Sequence, residues 1–116
     1  MTEAQIQARV LLTLGRRPDV RIFRNNVGAY KDATGTLRRF GLLVGSADLI
    51  GWVVVDGRAI FLSVEIKTPI GKPSPEQETW LRNVRRMGGI AFIARSAEEA
   101  IAELESQISN DNHRIR

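Results

Sequence analysis

Glu65 and Lys67 stand two residues apart in FLSVEIKT, residues 61–68, inside an apolar run of β type. Side chains on a strand alternate faces with period 2, so the glutamate and the lysine share one side while Val64 and Ile66 take the other. Charging one face of a hydrophobic strand is costly unless the charges find partners there. Asp48 supplies the third group. The pair Asp56-Gly57, between the apolar runs DLIGWVVV and AIFLSVEIK, signals a two-residue hairpin turn, and counting outward from that turn sets Asp48 opposite Glu65. Two facing carboxylates repel, and a hard divalent ion, Mg²⁺ or Mn²⁺, with waters completing its shell, supplies the missing counter-charge. Lys67 on the same face would lie beside the bound water and a substrate phosphate, which suits phosphodiester hydrolysis. The competing reading of E-x-K is a salt bridge at a sheet edge.

The elements that must position these groups follow from periodicity and punctuation. Thr2 and Gln5 resemble a capping box, and Ile6, Val10, Leu11 and Leu14 recur at helical spacing until Gly15 and Pro18, which predicts a helix over 3–14. VRIFRN predicts a strand near 20–25, and the runs on either side of Asp56-Gly57 predict two more. Ser74 as N-cap, Pro75 at the first helical position, a Trp80, Leu81, Val84 and Met87 stripe and the Gly88-Gly89 stop predict a helix over 75–87. IAFIAR reads as a fourth strand and Ser96 caps a helix through about 107. The order is αβββαβα, and the domain expected is 1–108 followed by a flexible polar tail over 109–116.

Composition narrows the chemistry. The 116 residues, 43% hydrophobic and 26% charged, suit one globular domain with a modest core and make a second domain unexpected. With no cysteine and one histidine, His113, in the polar tail, disulfides and thiolate metal sites are excluded and any metal must take oxygen ligands. The apolar runs are too short for a membrane span and the N-terminal stretch lacks the features of a signal peptide, so an intracellular, cytoplasmic protein with no membrane partner is expected. Nothing points to an organic cofactor. Residues 1–95 carry 15 Lys and Arg against 8 Asp and Glu, a balance of +7, while 96–116 carry 2 against 5, a balance of −3. Of the 17 basic residues 14 are arginine, whose planar fork suits phosphate; a polyanion, nucleic acid first, is the partner implied, against the plainer alternative of a basic soluble surface. The long connection after the first strand contains AYKDATGTLRRF, which reads as a hairpin arm turning at Asp32–Gly35 and presenting Tyr30, Lys31, Arg38 and Arg39 to a phosphate backbone and an exposed base, or as an ordinary solvated hairpin.

RNNVG at 24–28, GSADLIG, VEIKT, SPEQETWL and MGG, in that order and at these intervals, resemble the VRR-NUC domain, a branch of the PD-(D/E)XK nuclease superfamily, over Glu3 to about Arg95. The resemblance implies a restriction-endonuclease-like αβββαβ core, a mixed four-stranded α/β sheet flanked by helices. It implies Asp48 and Glu65 as metal ligands with the Ile66 carbonyl, Lys67 as the catalytic lysine, Glu3 reaching the metal through water, and Gln77 holding the water or the lysine. Without the resemblance Glu3 is an acidic first-turn residue favoured by the helix dipole and Gln77 an ordinary helix position. Arg24 and Asn25 match the family's R-N element as site support or phosphate contacts, or else satisfy backbone groups at the strand end. Lys72, before the second helix, is a further candidate DNA contact.

The function implied is a Mg²⁺- or Mn²⁺-dependent DNA endonuclease. The alternatives are a non-catalytic nucleic-acid-binding module that keeps the nuclease fold, and a restriction-like or exonucleolytic member of the superfamily. Stand-alone members are associated with branched DNA such as four-way (Holliday) junctions and with viral or mobile-element replication and repair. Two symmetric nicks in a junction call for two active sites, hence a homodimer, with Trp52 or Trp80 as an aromatic anchor unless core packing claims them.

Overall fold

The computed structural model describes the backbone of residues 1–115 and side chains through Asn110. The chain runs α1 (Glu3–Gly15), β1 (Val20–Arg24), β2 (Gly28–Lys31), β3 (Leu37–Phe40), β4 (Leu49–Val55), β5 (Arg58–Ile66), α2 (Pro75–Arg86), β6 (Ile90–Ala94) and α3 (Ala97–Ile115). The capping box expected at Thr2 forms, and Ser74, expected as an N-cap, forms a second one. The Gln5 N–H donates to Thr2 Oγ1 while the Thr2 N–H donates to Gln5 Oε1, and the same exchange joins Ser74 and Gln77 at the start of α2.

Four strands make one mixed sheet in the order β1-β4-β5-β6, antiparallel except for the β5–β6 pair, which α2 connects as a crossover. Asp56 and Gly57 have φ of 50° and 75°, the positive angles a two-residue type I′ turn demands, and Val55 pairs with Arg58 beside it. The register then runs to Leu49 opposite Val64, so the next step sets Asp48 opposite Glu65 as the turn predicts.

One sheet face is the core. Val20 and Ile22 of β1, Leu49, Val53 and Val55 of β4, Leu62, Val64 and Ile66 of β5, and Phe92 of β6 are buried against Ile6, Val10 and Leu14 of α1 and Ala100 and Leu104 of α3. On the other face α2 packs over β5 and β6, where the Trp80 indole N–H donates to Ser63 Oγ at 2.7 Å. The outer edge of β6 is closed by side chains. The Ala91 N–H donates to Gln107 Oε1, and both Gln107 Nε2 and Arg85 Nε donate to the Ala91 carbonyl.

Two features depart from the αβββαβα reading of 1–108. The arm anticipated at Asp32–Gly35 is a sheet of its own, β2 paired with β3, turned by Asp32, whose carboxylate accepts the Thr34 and Thr36 N–H groups. The last helix, expected to stop near 107, continues to Ile115, so the backbone of 109–115 is helical where a tail is expected. The reason is the spacing of Ala100, Leu104 and Ile108, which carries the core-facing stripe a turn further, with no Gly or Pro beyond Gly89 to stop it. Arg116 lies outside the described residues. Among the described residues no helix is long and apolar enough to cross a membrane.

Candidate active site

Asp48 ends the connection into β4 and is held from three sides. Its carbonyl accepts the Asn25 N–H at 2.8 Å, which continues the β1–β4 pairing by one residue. The Asn25 side-chain amide donates to Ser46 Oγ and to the Ala47 carbonyl, both at 2.8 Å, so Asn25 braces the two residues before the aspartate. Asp48 Oδ2 in turn accepts the Ile66 N–H at 2.8 Å, reaching across to the backbone that follows Glu65. Asn25 therefore directs its hydrogen bonds to protein at the strand end, to Ser46 and the backbone of Ala47 and Asp48.

Glu65 sits on β5, an interior strand, with 1% of its surface exposed. Its Oε2 is buried without a hydrogen-bond partner. Burial first, and the Asp48 carboxylate second, push its pKa up to about 9, with Lys67 opposing the shift through its charge. A buried carboxylate oxygen without a partner, beside a second carboxylate, is a pair of hard oxygen donors that either a retained proton or a cation can relieve. Asp48, Glu65 and the Ile66 carbonyl fit a divalent ion such as Mg²⁺ on that count. Among the described residues no third His, Cys, Asp or Glu gathers with this pair into a metal-binding group, and Glu3 lies exposed in the first turn of α1.

Lys67 follows β5, half-buried, and its N–H donates to the Ala94 carbonyl. Among the described residues it forms no ion pair within 4.0 Å, and β5 is not a sheet edge, so the edge salt bridge that E-x-K also suggests is not what this strand builds. The lysine stem has a backing that sequence reading missed. A Cβ added at Gly71 would lie 3.5 Å from Lys67 Cδ, and the Gly71 carbonyl accepts Arg95 Nη2 at 2.9 Å, so Arg95, just past β6, pins the turn along which Lys67 runs. Arg95 gave no local signal for this, because the contact closes only when β6 lies beside β5.

Gln77 commits Oε1 to the Ser74 N–H as the N3 member of its capping box, which leaves Nε2 as the end available to anything beyond the helix. Arg24 and Lys72 are exposed. On the arm, Tyr30 pairs with Arg38 and Ala29 with Arg39, so Lys31 and Arg39 share one face and Arg38 takes the other. Arg38 Nε donates to Asp32 Oδ2 at 3.0 Å, and the Thr34 hydroxyl first, then this ion pair and the Thr36 N–H, hold the Asp32 carboxyl down at about 2. The three arm cations thus do not form one cluster. A hollow of about 760 Å³ lies at the base of the arm between Val27, Phe40, Leu42 and Leu43 and includes neither carboxylate.

The order of elements, the sheet order and the Asp48–Glu65–Lys67 placement can be set against known proteins. The model of the VRR-NUC domain matches residues 31–98, more than half of the chain. This chain belongs to the VRR-NUC family. A solved structure described as a VRR_NUC domain protein superposes with a TM-score of 0.57 at 18% identity, covering 91% of this chain and 87% of that one, and so shares the fold. No curated protein matches. The matched span takes in Asp48, Glu65, Lys67, Gln77 and the arm from Lys31 onward, and leaves α1 with Glu3 outside it. VRR-NUC is a nuclease-fold family, and the mixed four-stranded sheet with flanking helices is the α/β architecture expected of it.

Proposed function

We propose that this VRR-NUC chain is an intracellular, divalent-metal-dependent DNA endonuclease, selective for branched DNA such as four-way junctions and acting as a homodimer. The observation that carries the reading is the buried, unpartnered Glu65 Oε2 beside Asp48. A bound Mg²⁺ or Mn²⁺ would act there as Lewis acid on the scissile phosphate and lower the pKa of a water. Asp48 and Glu65 would hold the ion with the Ile66 carbonyl, and Glu3 would act at longer range through water. Lys67, on the face of Glu65, sets its ammonium beside the phosphate and offsets the negative charge that develops as the bond breaks. Gln77 offers Nε2 to the attacking water or to the lysine. Arg24, Lys31, Arg39 and Lys72 are exposed cations suited to backbone phosphates, and Arg38 contributes once it leaves Asp32.

One Asp48–Glu65–Lys67 set per chain serves one strand, and two copies about a two-fold axis supply the second nick a junction needs. The exposed apolar run Leu42, Leu43 and Val44, at the base of the arm, offers a second copy a surface. Cleavage of duplex, flap, single-stranded and four-way DNA, with light scattering on the same sample, tests the reading. Wild type should nick the four-way substrate in both strands when Mg²⁺ is present, and Asp48→Ala and Glu65→Ala should each abolish cutting while DNA binding persists. Full activity in excess EDTA would refute the metal reading. A strict monomer that still nicks a junction symmetrically would refute the dimer.

A further inference from the structure

The face of the sheet that carries Asp48 and Glu65 is covered by α2 only over β5 and β6. On the other half, Phe23 of β1 is 49% exposed and Trp52 of β4 is 41% exposed. Their ring centres lie 5.7 Å apart with planes at 53°, so neither ring covers the other's flat face. Both stand in register with the carboxylates. Phe23 pairs with Ile50, two residues along β4 from Asp48, and Trp52, two residues further, pairs with Arg21 on one side and Phe61 on the other. The rows step away from the carboxylates by about 7 Å each, at roughly 3.4 Å per strand residue, a stride comparable to one extended nucleotide.

We propose that this open half of the sheet is a stacking surface for unpaired nucleotides of the DNA strand engaged at Asp48 and Glu65. The inference rests on the nuclease reading for that strand's position, and it adds what the neighbouring nucleotides meet. Two observations favour a nucleotide chain over another occupant. Asp48 and Glu65 belong to this same face, and α2, tied down by Trp80 and Ser63, occupies the β5–β6 side, so a strand held at Asp48 leaves across β4 and β1. The charge also suits it. Between Asp48 and the Asp56-Gly57 turn no Asp or Glu lies on this face of β1, β4 or β5; Asp19, just before β1 and beside Trp52, is neutralised by Arg17, and Arg21, exposed and directly across from Trp52, supplies a phosphate contact. Aromatic faces beside a cation are what sequence-independent single-strand binding uses.

The test is fluorescence-anisotropy titration of labelled oligo-dT and of blunt duplex DNA in EDTA, where nothing is cut. Trp52→Leu should weaken oligo-dT binding about tenfold, the range one stacked base supplies, and leave blunt-duplex affinity and melting temperature near wild type; Trp52→Phe should recover most of the loss. Phe23→Leu should act in the same direction. Oligo-dT affinity unchanged in Trp52→Leu overturns the proposal, as does an equal loss on blunt duplex. Sedimentation that turns a wild-type dimer into a Trp52→Leu monomer with oligo-dT affinity retained also overturns it and assigns the face to a second copy. Trp52-dependent oligo-dT binding in a protein that cuts nothing with Mg²⁺ would uphold the stacking surface and refute the nuclease reading.

Discussion

Glu65→Gln should stabilise the metal-free protein and remove the stabilisation that a divalent ion provides. The folded protein holds the Glu65 proton up to about 9, whereas the unfolded chain releases it near the ordinary value of 4.5. The contribution of this group to stability is therefore whole below about pH 4.5, is lost as pH rises through the interval up to about 9, and stays lost above it. At pH 7, roughly 2.5 pH units above the unfolded value, keeping the proton costs about 3 kcal/mol at about 1.4 kcal/mol per unit. Glutamine has no proton to lose, and its amide can donate toward Asp48, so the variant sheds most of that cost. For a domain of this size about 3 kcal/mol raises the melting temperature by on the order of 10 °C. The gain should shrink to about 1 kcal/mol at pH 5, which is only about half a pH unit above the unfolded value. Adding Mg²⁺ at about a hundredfold over its dissociation constant should stabilise wild type by about 2.7 kcal/mol and the variant far less. Circular-dichroism melts at pH 5, 7 and 9, in EDTA and in Mg²⁺, give every comparison. A variant no more stable than wild type at pH 7 in EDTA would refute the burial argument, and an equal Mg²⁺ response in both proteins would refute Glu65 as a ligand.

Replacing Lys31 and Arg39 together with Ala should reduce the salt-dependence slope of DNA binding by about 2, whereas Arg38→Ala should change it less because Asp32 already holds that guanidinium; filter binding across a salt series measures both, and equal slopes would place the arm away from DNA. Asn25→Ala should cost about 1–2 kcal/mol of stability by freeing Ser46 and the Ala47 carbonyl, and it should weaken Mg²⁺ binding by calorimetry because Asp48 loses its brace; unaltered Mg²⁺ affinity would reduce Asn25 to a fold residue. Gly45→Ala should destabilise more than a surface change does, since Gly45 has φ of 89° and an added Cβ would meet Glu76 Cβ at 2.6 Å; chemical denaturation reads it, and a change under roughly 0.5 kcal/mol would show that the connection shifts freely off α2.

The sequence by itself determined the features that depend on neighbours along the chain. The two capping boxes, the Asp56-Gly57 turn and the alternation of β4 and β5 are local, and because strand register follows from a two-residue turn by counting, they were enough to bring Asp48 opposite Glu65. The cation arm was legible for the same reason, Asp32 and Gly35 being turn chemistry. The end of α3 was misread because the stripe through Ile108 gains its value only from a core on which to lie. What only the tertiary structure decided is energetic and long-range. Glu65 is buried and unpartnered because β5 lies between β4 and β6 with α2 above it, a fact about four separated segments that no window of FLSVEIKT contains. Arg95 holds the Gly71 carbonyl in the turn after Lys67, and Asn25 braces the residues before Asp48, through contacts spanning 24 and 21 residues, which periodicity does not see. Trp80 and Trp52 are alike in sequence as apolar positions, yet packing sends one to Ser63 beneath α2 and leaves the other open on the sheet, because a single helix covers only half of that face.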